Sequence, residues 1–346
     1  MSGEVSGSLV ASATQAALTS HYSIAGRTLR VEAQGDWAAH WVANFLSGFH
    51  LVPTSPPVDH QTTVTLRVER ATPPAVPAAL PVFAINHGDC HTDGSRYFLT
   101  VNDSVVLISP PSARLVEVWF GSTPHAKHPI ALVNVFSYAL QAALRRAGVY
   151  DVHAAGLLDP ASGRGALFVG PSGSGKTTFA LKLTESGWRY ISDDMIVLRE
   201  TDAGLEAEGL RRLFSVAAPS LAGSSLPRLD EALGAPVASD PRKRRLEPSI
   251  VFPNGQAHHC RPGVLFFPQV TDTAVTAVNP MSAREAMQQL MRSCPWATYD
   301  EHTAGDYLRV LARLANQCRS YELRAGRDLM LDARGAADLI APYMAA

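Results

Sequence analysis

Up to about residue 120 the apolar positions recur mostly every second residue, the period of strands with one buried face. Leu29 and Val31 alternate with polar neighbours after a turn at Ala25-Gly26, and Val64, Leu66 and Val68 alternate with Thr65, Arg67 and Glu69. Phe98 to Ile108 predicts a hairpin turning at Asn102-Asp103, and Leu115 to Phe120 a further strand. One helix interrupts this run. From Asp36 onward, Trp37, Trp41 and Phe45 share a helical face, which reads as core packing rather than as a ligand platform. Ala71 to Pro81, with its four prolines, reads as a loop or edge connector.

The period then lengthens. Pro129 opens a helix that turns Val133, Phe136, Leu140 and Leu144 inward, and Gly148 ends it. Asp151 to Leu158 reads as an apolar strand, Asp159 to Gly165 as a turn and Ala166 to Val169 as a second strand. A helical pattern follows from Phe179 to Leu183, and after a stop at Gly187 a strand runs from Trp188 to Leu198. Glu200 to Pro248 is the least regular region. Beyond it come a buried strand at Val264 to Phe267 and a helix to about Arg292 with Ser282 and Glu285 as its capping box. A helix from about Gly305 to Cys318, a strand at Ser320 to Leu323 and a terminal helix capped by Asp332 complete the chain. The pattern predicts an α/β protein with mixed sheets, divided into a tail (1–20), a β-rich α+β domain (21–128) and a second domain (129–346). No internal repeat occurs.

Composition narrows the functional classes. The 346 residues are 46% hydrophobic and 18% charged, enough for two cores, and the formal net charge is −1. No long run of one sign points to nucleic acid or a membrane surface. No apolar stretch approaches the length of a membrane span, and Met1 to Ser20 lacks the basic start and apolar core of a signal peptide, reading instead as a mobile tail or weak helix. Cys90, Cys260, Cys294 and Cys318 are widely spaced with no CxxC pair, which suggests free thiols in a reducing, cytoplasmic compartment.

The chemistry centres on Gly170-Pro171-Ser172-Gly173-Ser174-Gly175-Lys176-Thr177, which fits GxxxxGK[ST] between an apolar strand and a helix. In that context Gly170, Ser172, Gly173, Ser174 and Gly175 present backbone N–H groups to phosphate oxygens, assisted by the positive end of the following helix and by Thr178. Lys176 reaches the β- and γ-phosphates, and the Thr177 hydroxyl holds Mg²⁺. If the strands on either side of Asp159 to Gly165 pair about a centre between Ala161 and Ser162, His153 falls opposite Gly170, beside the bound phosphates. Asp193 and Asp194 lie in an otherwise apolar strand, where unpaired carboxylates are costly; Mg²⁺ and Lys176 are the available compensation. Strand alternation aims only one of them squarely at the γ-phosphate and leaves the other a bend or a water away. In the basic run Arg242 to Arg245, Lys243 and Arg245 are candidates for neutralising charge on a transferred phosphoryl group. His258-His259-Cys260 is too short a segment to wrap a tetrahedral metal ion.

The order Val152-His153-Ala154-Ala155-Gly156, Gly170 to Thr178, then Trp188-Arg189-Tyr190-Ile191-Ser192-Asp193-Asp194 resembles the catalytic core of the HPr kinase/phosphorylase family. The likeness continues through Lys243 to Pro248, Arg261 to Pro268 and Tyr321-Glu322-Leu323, and covers about residues 130 to 340. It implies a phosphoenolpyruvate-carboxykinase-like P-loop kinase domain and ATP and Mg²⁺ as cofactors. It also implies a hydroxyl acceptor on a peptide, protein or small molecule, and allows a homo-oligomer. By that likeness Lys176 and Thr177 hold nucleotide and metal, His153 lies near the transferred phosphate, and the aspartates divide the duties of base and metal ligand. Asp193 is taken as the base and Asp194, with Thr177, as the metal side. Two departures stand out: the family's glycine-rich C-terminal signature is not recognisable, and residues 21–128 do not resemble its regulatory domain, so HPr is not the expected substrate.

The sequence therefore points to a kinase transferring the γ-phosphoryl group of ATP to a hydroxyl. Two other classes stay open: a non-catalytic nucleotide-binding switch or carrier module, and a nucleotide-dependent carboxykinase, which would need an arginine set and a transition-metal site.

Overall fold

The structure is a computed structural model that describes residues 17–57, 63–85, 88–121, 129–221, 224–237, 240–330 and 333–345. Asp332, read as a helix cap, lies outside the described residues, as do residues 1–16. The chain is a mixed α/β protein. Among the described residues, the N-terminal part forms a nine-stranded sheet in which Thr63–Arg70 lies centrally, parallel to Arg27–Gln34 on one side and to Leu115–Phe120 on the other. The alternation in Thr63–Arg70 explains its place: Val64, Leu66 and Val68 are wholly buried. Each contributes roughly 1.5–3 kcal/mol by leaving water. The strand Ala17–Ile24 begins inside the segment read as tail.

The helix Gly35–Leu46 lays Trp37, Trp41 and Phe45 against this sheet and against the helix Pro129–Arg146. In the latter helix Leu132, Val135, Phe136, Ala139 and Leu140 make the buried face; Val133, expected inward, is only half-buried. The rings of Phe120, Phe136, Trp41 and Phe45 form one aromatic column. A single core runs from the nine-stranded sheet through this helix to the helix Glu301–Gln317, which starts four residues earlier than its sequence pattern suggests.

The second core is organised by a six-stranded mixed sheet in the order Arg189–Ser192, Ala154–Leu158, Gly165–Val169, Pro262–Val270, Arg319–Ala325, Ala277–Met281. Phe168 stacks between Phe179 and Phe266 and fixes the helix Lys176–Glu185 on this sheet. Ser282 and Glu285 make the expected capping box of the helix Ala283–Ser293. All four cysteines are free and buried. Among the described residues no helix is long and apolar enough to cross a membrane.

Candidate active site

The site sits where the chain passes twice between sheets. Val152 pairs with Ile196 in a four-stranded sheet, and Gly156 pairs with Ser192 in the six-stranded one. Each strand expected to run unbroken is split at this crossing, one at His153 and the other at Asp193-Asp194-Met195. Residues in the gap are released from the ladder, so strict alternation no longer sets where the two aspartates point. The expectation that alternation would separate their aims does not apply, because neither lies in a strand.

The hairpin register is the expected one: Ala154 pairs with Val169 and Leu158 with Gly165, and the Gly170 N–H donates to the His153 carbonyl at 3.5 Å. His153 Nε2 is 2.7 Å from Asp194 Oδ1. Gly173 (φ 86°) and Gly175 (φ 104°) take the left-handed backbone that lets the phosphate loop wrap, and Lys176 begins the helix immediately after it. Lys176 Nζ donates to the carbonyls of Gly170 (2.7 Å) and Pro171 (3.0 Å), which holds the ammonium over the loop. Burial lowers the pKa of this lysine, opposed by the charges of Asp194 and Asp193. The Ser174 hydroxyl is buried without a partner in the loop.

The two aspartates live in different surroundings. Asp193 is 1% exposed; its Oδ2 accepts from Thr177 Oγ1 (3.1 Å) and from the Ser215 N–H (2.9 Å). Burial, then the negative charge of Asp194, raises its pKa above the usual carboxylate range. The Asp194 side chain is 32% exposed and faces open space beside the loop. Burial would raise this carboxyl too, but the hydrogen bond from His153, with the charges of His153, Arg211 and Lys176, outweighs it and holds the group below its ordinary value. Thr177 is therefore paired with Asp193, whereas the sequence reading groups it with Asp194.

Cations surround the pair. In the strand Asp240–Leu246 alternation turns Arg242 and Arg244 to solvent and Lys243 and Arg245 toward the loop. Lys243 Nζ donates to Ser172 Oγ (3.0 Å), and Arg245 Nη1 to Ser215 Oγ (3.3 Å). Thr178 Oγ1 donates to Ser220 Oγ (2.9 Å), turning that side chain from the loop toward a neighbouring segment. Sequence reasoning missed Arg211, whose Nε is 3.6 Å from Asp194 Oδ2, and Ser215. Both come from the irregular region, and no local signal marks them.

The donor set fits Mg²⁺. Asp193 Oδ1 is buried with no hydrogen-bond partner, and the neighbouring donors are hard oxygens of Thr177 and Asp193. Among the described residues no cluster of three or more His, Cys, Asp or Glu forms a metal cage. One or two carboxylates with substrate phosphates is the usual mode for this ion.

Two cavities share the loop. One, of about 260 Å³, is lined by Lys176, Thr177, Asp194 and Lys243 at one end and by apolar residues such as Phe179 and Leu329 at the other. The second is a groove of about 1020 Å³ that begins at His153 and Gly170 and extends along the helix Ala283–Ser293 past Glu285, Gln288 and Arg292.

No family model matches the chain, and no curated protein matches it. Among solved structures, the chain has a distant likeness to the Hpr(Ser) kinase/phosphatase from Coxiella burnetii, with 12% identity and a TM-score of 0.28 over 57% of this chain and 99% of that one.

Proposed function

We propose that the protein is an ATP- and Mg²⁺-dependent kinase that transfers the γ-phosphoryl group to a hydroxyl. One observation carries this reading: at a single phosphate loop, one carboxylate is bonded to the loop threonine and its neighbour to a histidine. That is the equipment phosphoryl transfer needs, where catalysis is chiefly positioning and neutralisation of charge.

In this reading the nucleotide fills the smaller cavity with its phosphates over Gly170 to Thr178. Lys176 and Lys243 hold phosphate oxygens, and Arg211 and Arg245 offset the charge that develops on the transferred group. Thr177 and Asp193 hold Mg²⁺, which when bound supplies further neutralisation at the β- and γ-phosphates. Asp194 accepts the proton of the attacking hydroxyl, and His153 orients it through their hydrogen bond. This exchanges the duties that the sequence reading gives the two aspartates. The reason is physical: Asp193 is enclosed and already bonded to Thr177, whereas Asp194 lines the end of the smaller cavity and is bonded to His153 of the groove, so it stands at the boundary where phosphate and acceptor meet. The acceptor, a serine of a peptide or protein or the hydroxyl of a small molecule, enters along the groove. With four buried free thiols, the cytoplasm is the expected compartment.

The test is transfer of labelled γ-phosphate from ATP to hydroxyl acceptors with Mg²⁺. Asp194→Asn should lower transfer by roughly 10²–10⁴-fold while ATP affinity changes by no more than a few fold. Normal turnover by that variant would refute the base assignment. A wild-type protein that binds ATP but transfers to no hydroxyl would refute the kinase reading and leave the nucleotide-binding switch.

A further inference from the structure

We infer that the N-terminal module is part of the catalytic site, with Phe49 a positioning residue that aims the Arg211 guanidinium at Asp194. The inference rests on the kinase reading above, and goes beyond it by giving residues outside the phosphate-loop domain a part in transfer.

The short segment Leu210-Arg211-Arg212 is held from two sides. Toward the acidic gap, Ser192 Oγ donates to the Arg211 carbonyl (3.0 Å) and the Leu210 N–H to the Met195 carbonyl (3.0 Å). Toward the N-terminal module, the His50 N–H donates to the Leu210 carbonyl (2.8 Å), and the Arg212 N–H to the Gly48 carbonyl (3.0 Å). Phe49 and Arg211 form a β-bridge between them. Arg212 Nε adds a bond to the Ser47 carbonyl (3.1 Å). The catalytic arginine is thus an added rung between the acidic gap and the end of the helix Gly35–Leu46.

The side chains repeat the arrangement. The Arg211 guanidinium lies 5.2 Å from the centre of the Phe49 ring, and its Nε lies 3.6 Å from Asp194 Oδ2. That Nε is buried and has no hydrogen-bond partner, so the ring face and the carboxylate are what orient the fork. Phe49 cannot drift, because it is 7% exposed and rests on Phe45 at 4.9 Å, the end of the aromatic column that reaches Phe136 and Phe120. The column ties the direction of Arg211 to the position of the whole N-terminal sheet.

The test is a double-mutant cycle in the full chain with Phe49→Leu and Arg211→Gln, read as kcat for phosphoryl transfer and KM for ATP. Leucine keeps most of the apolar volume and removes the ring face. The expected result is a fall in kcat of about 3- to 10-fold for Phe49→Leu at unchanged KM for ATP. No further fall should occur in the Arg211→Gln background, and Phe49→Tyr, which keeps the ring face, should recover most of the loss. Equal losses from Phe49→Leu in both backgrounds, as a general weakening of the fold would give, overturn the inference. So does a tyrosine variant as impaired as the leucine one. If the wild type transfers phosphate to nothing, the kinase reading fails and the inference fails with it; if the wild type transfers and the losses are equal in both backgrounds, the inference alone fails.

Discussion

On one side of the phosphate loop, Phe179, Val270, Ala325, Leu329 and Ala336 wall a cavity of about 260 Å³; on the other, His153, Asn279, Glu285, Gln288 and Arg292 border a groove four times that volume, about 1020 Å³. The first suits a flat, largely apolar base recognised by burial and shape, with phosphates at its charged end. The second suits an extended polar molecule recognised by hydrogen bonds. Asp194 lines the first and His153 the second, so their 2.7 Å hydrogen bond bridges the wall between them. A phosphoryl group passing from one cavity to the other would cross at that bond.

Removing the cation that the Gly170 and Pro171 carbonyls hold over the loop should have the largest effect. Lys176→Ala is expected to lower transfer by roughly 10³-fold or more and to weaken ATP binding measurably by calorimetry. Substitutions confined to one cavity should then split the kinetic constants. Leu329→Trp, which fills the apolar end of the smaller cavity, should raise KM for ATP about 10-fold or more and leave the acceptor KM unchanged. Arg292→Ala in the groove should do the reverse by about 10-fold. If both variants shifted the same constant, the division of labour between cavities would be wrong.

The smallest expected effect concerns stability and sharpens the contrast between the aspartates. The raised pKa of Asp193 means that the folded state holds its proton to a higher pH than the unfolded chain, whose carboxyl titrates near 4. The sign follows: stability from this group is greatest below that value, is lost as pH rises through the raised folded pKa, and stays lower above it. Without Mg²⁺, Asp193→Asn should therefore raise the unfolding free energy at pH 8 by about 1–2 kcal/mol, with no gain below pH 4, as followed by thermal melts across pH. Asp194, whose pKa is shifted down, should give the opposite trend: Asp194→Asn loses stability at neutral pH, and the difference from wild type shrinks as acid titrates the carboxylate. Matching pH trends for the two variants would erase the contrast drawn between them.

Much of this was legible in the linear chain. The candidate phosphate loop follows from a fixed spacing of small residues, Lys176 and Thr177, and the opposition of His153 to Gly170 follows from the short turn at Asp159 to Gly165. Period-two burial in Thr63–Arg70 and the capping box at Ser282 are likewise local. The hairpin register, the burial period and the capping box are read correctly because each depends on residues within one turn, one strand or one hairpin of each other. Lys243 and Arg245 were identifiable as cations, and strand alternation turned them, not Arg242 and Arg244, toward the loop.

What only the tertiary structure decided involves partners far apart in sequence. The gap that frees Asp193 and Asp194 exists because two strands change sheets at the same point. The segment carrying Arg211 is held from opposite sides by Gly48 and His50, which flank Phe49 in the N-terminal module, and by Ser192. No local period encodes either event. The sequence by itself determined which groups are candidates for holding phosphate, through residue type and short spacing. The pairing of Thr177 with Asp193 and of His153 with Asp194 was set by packing, because a carboxylate's partner and pKa depend on what the fold brings within a few ångströms of it.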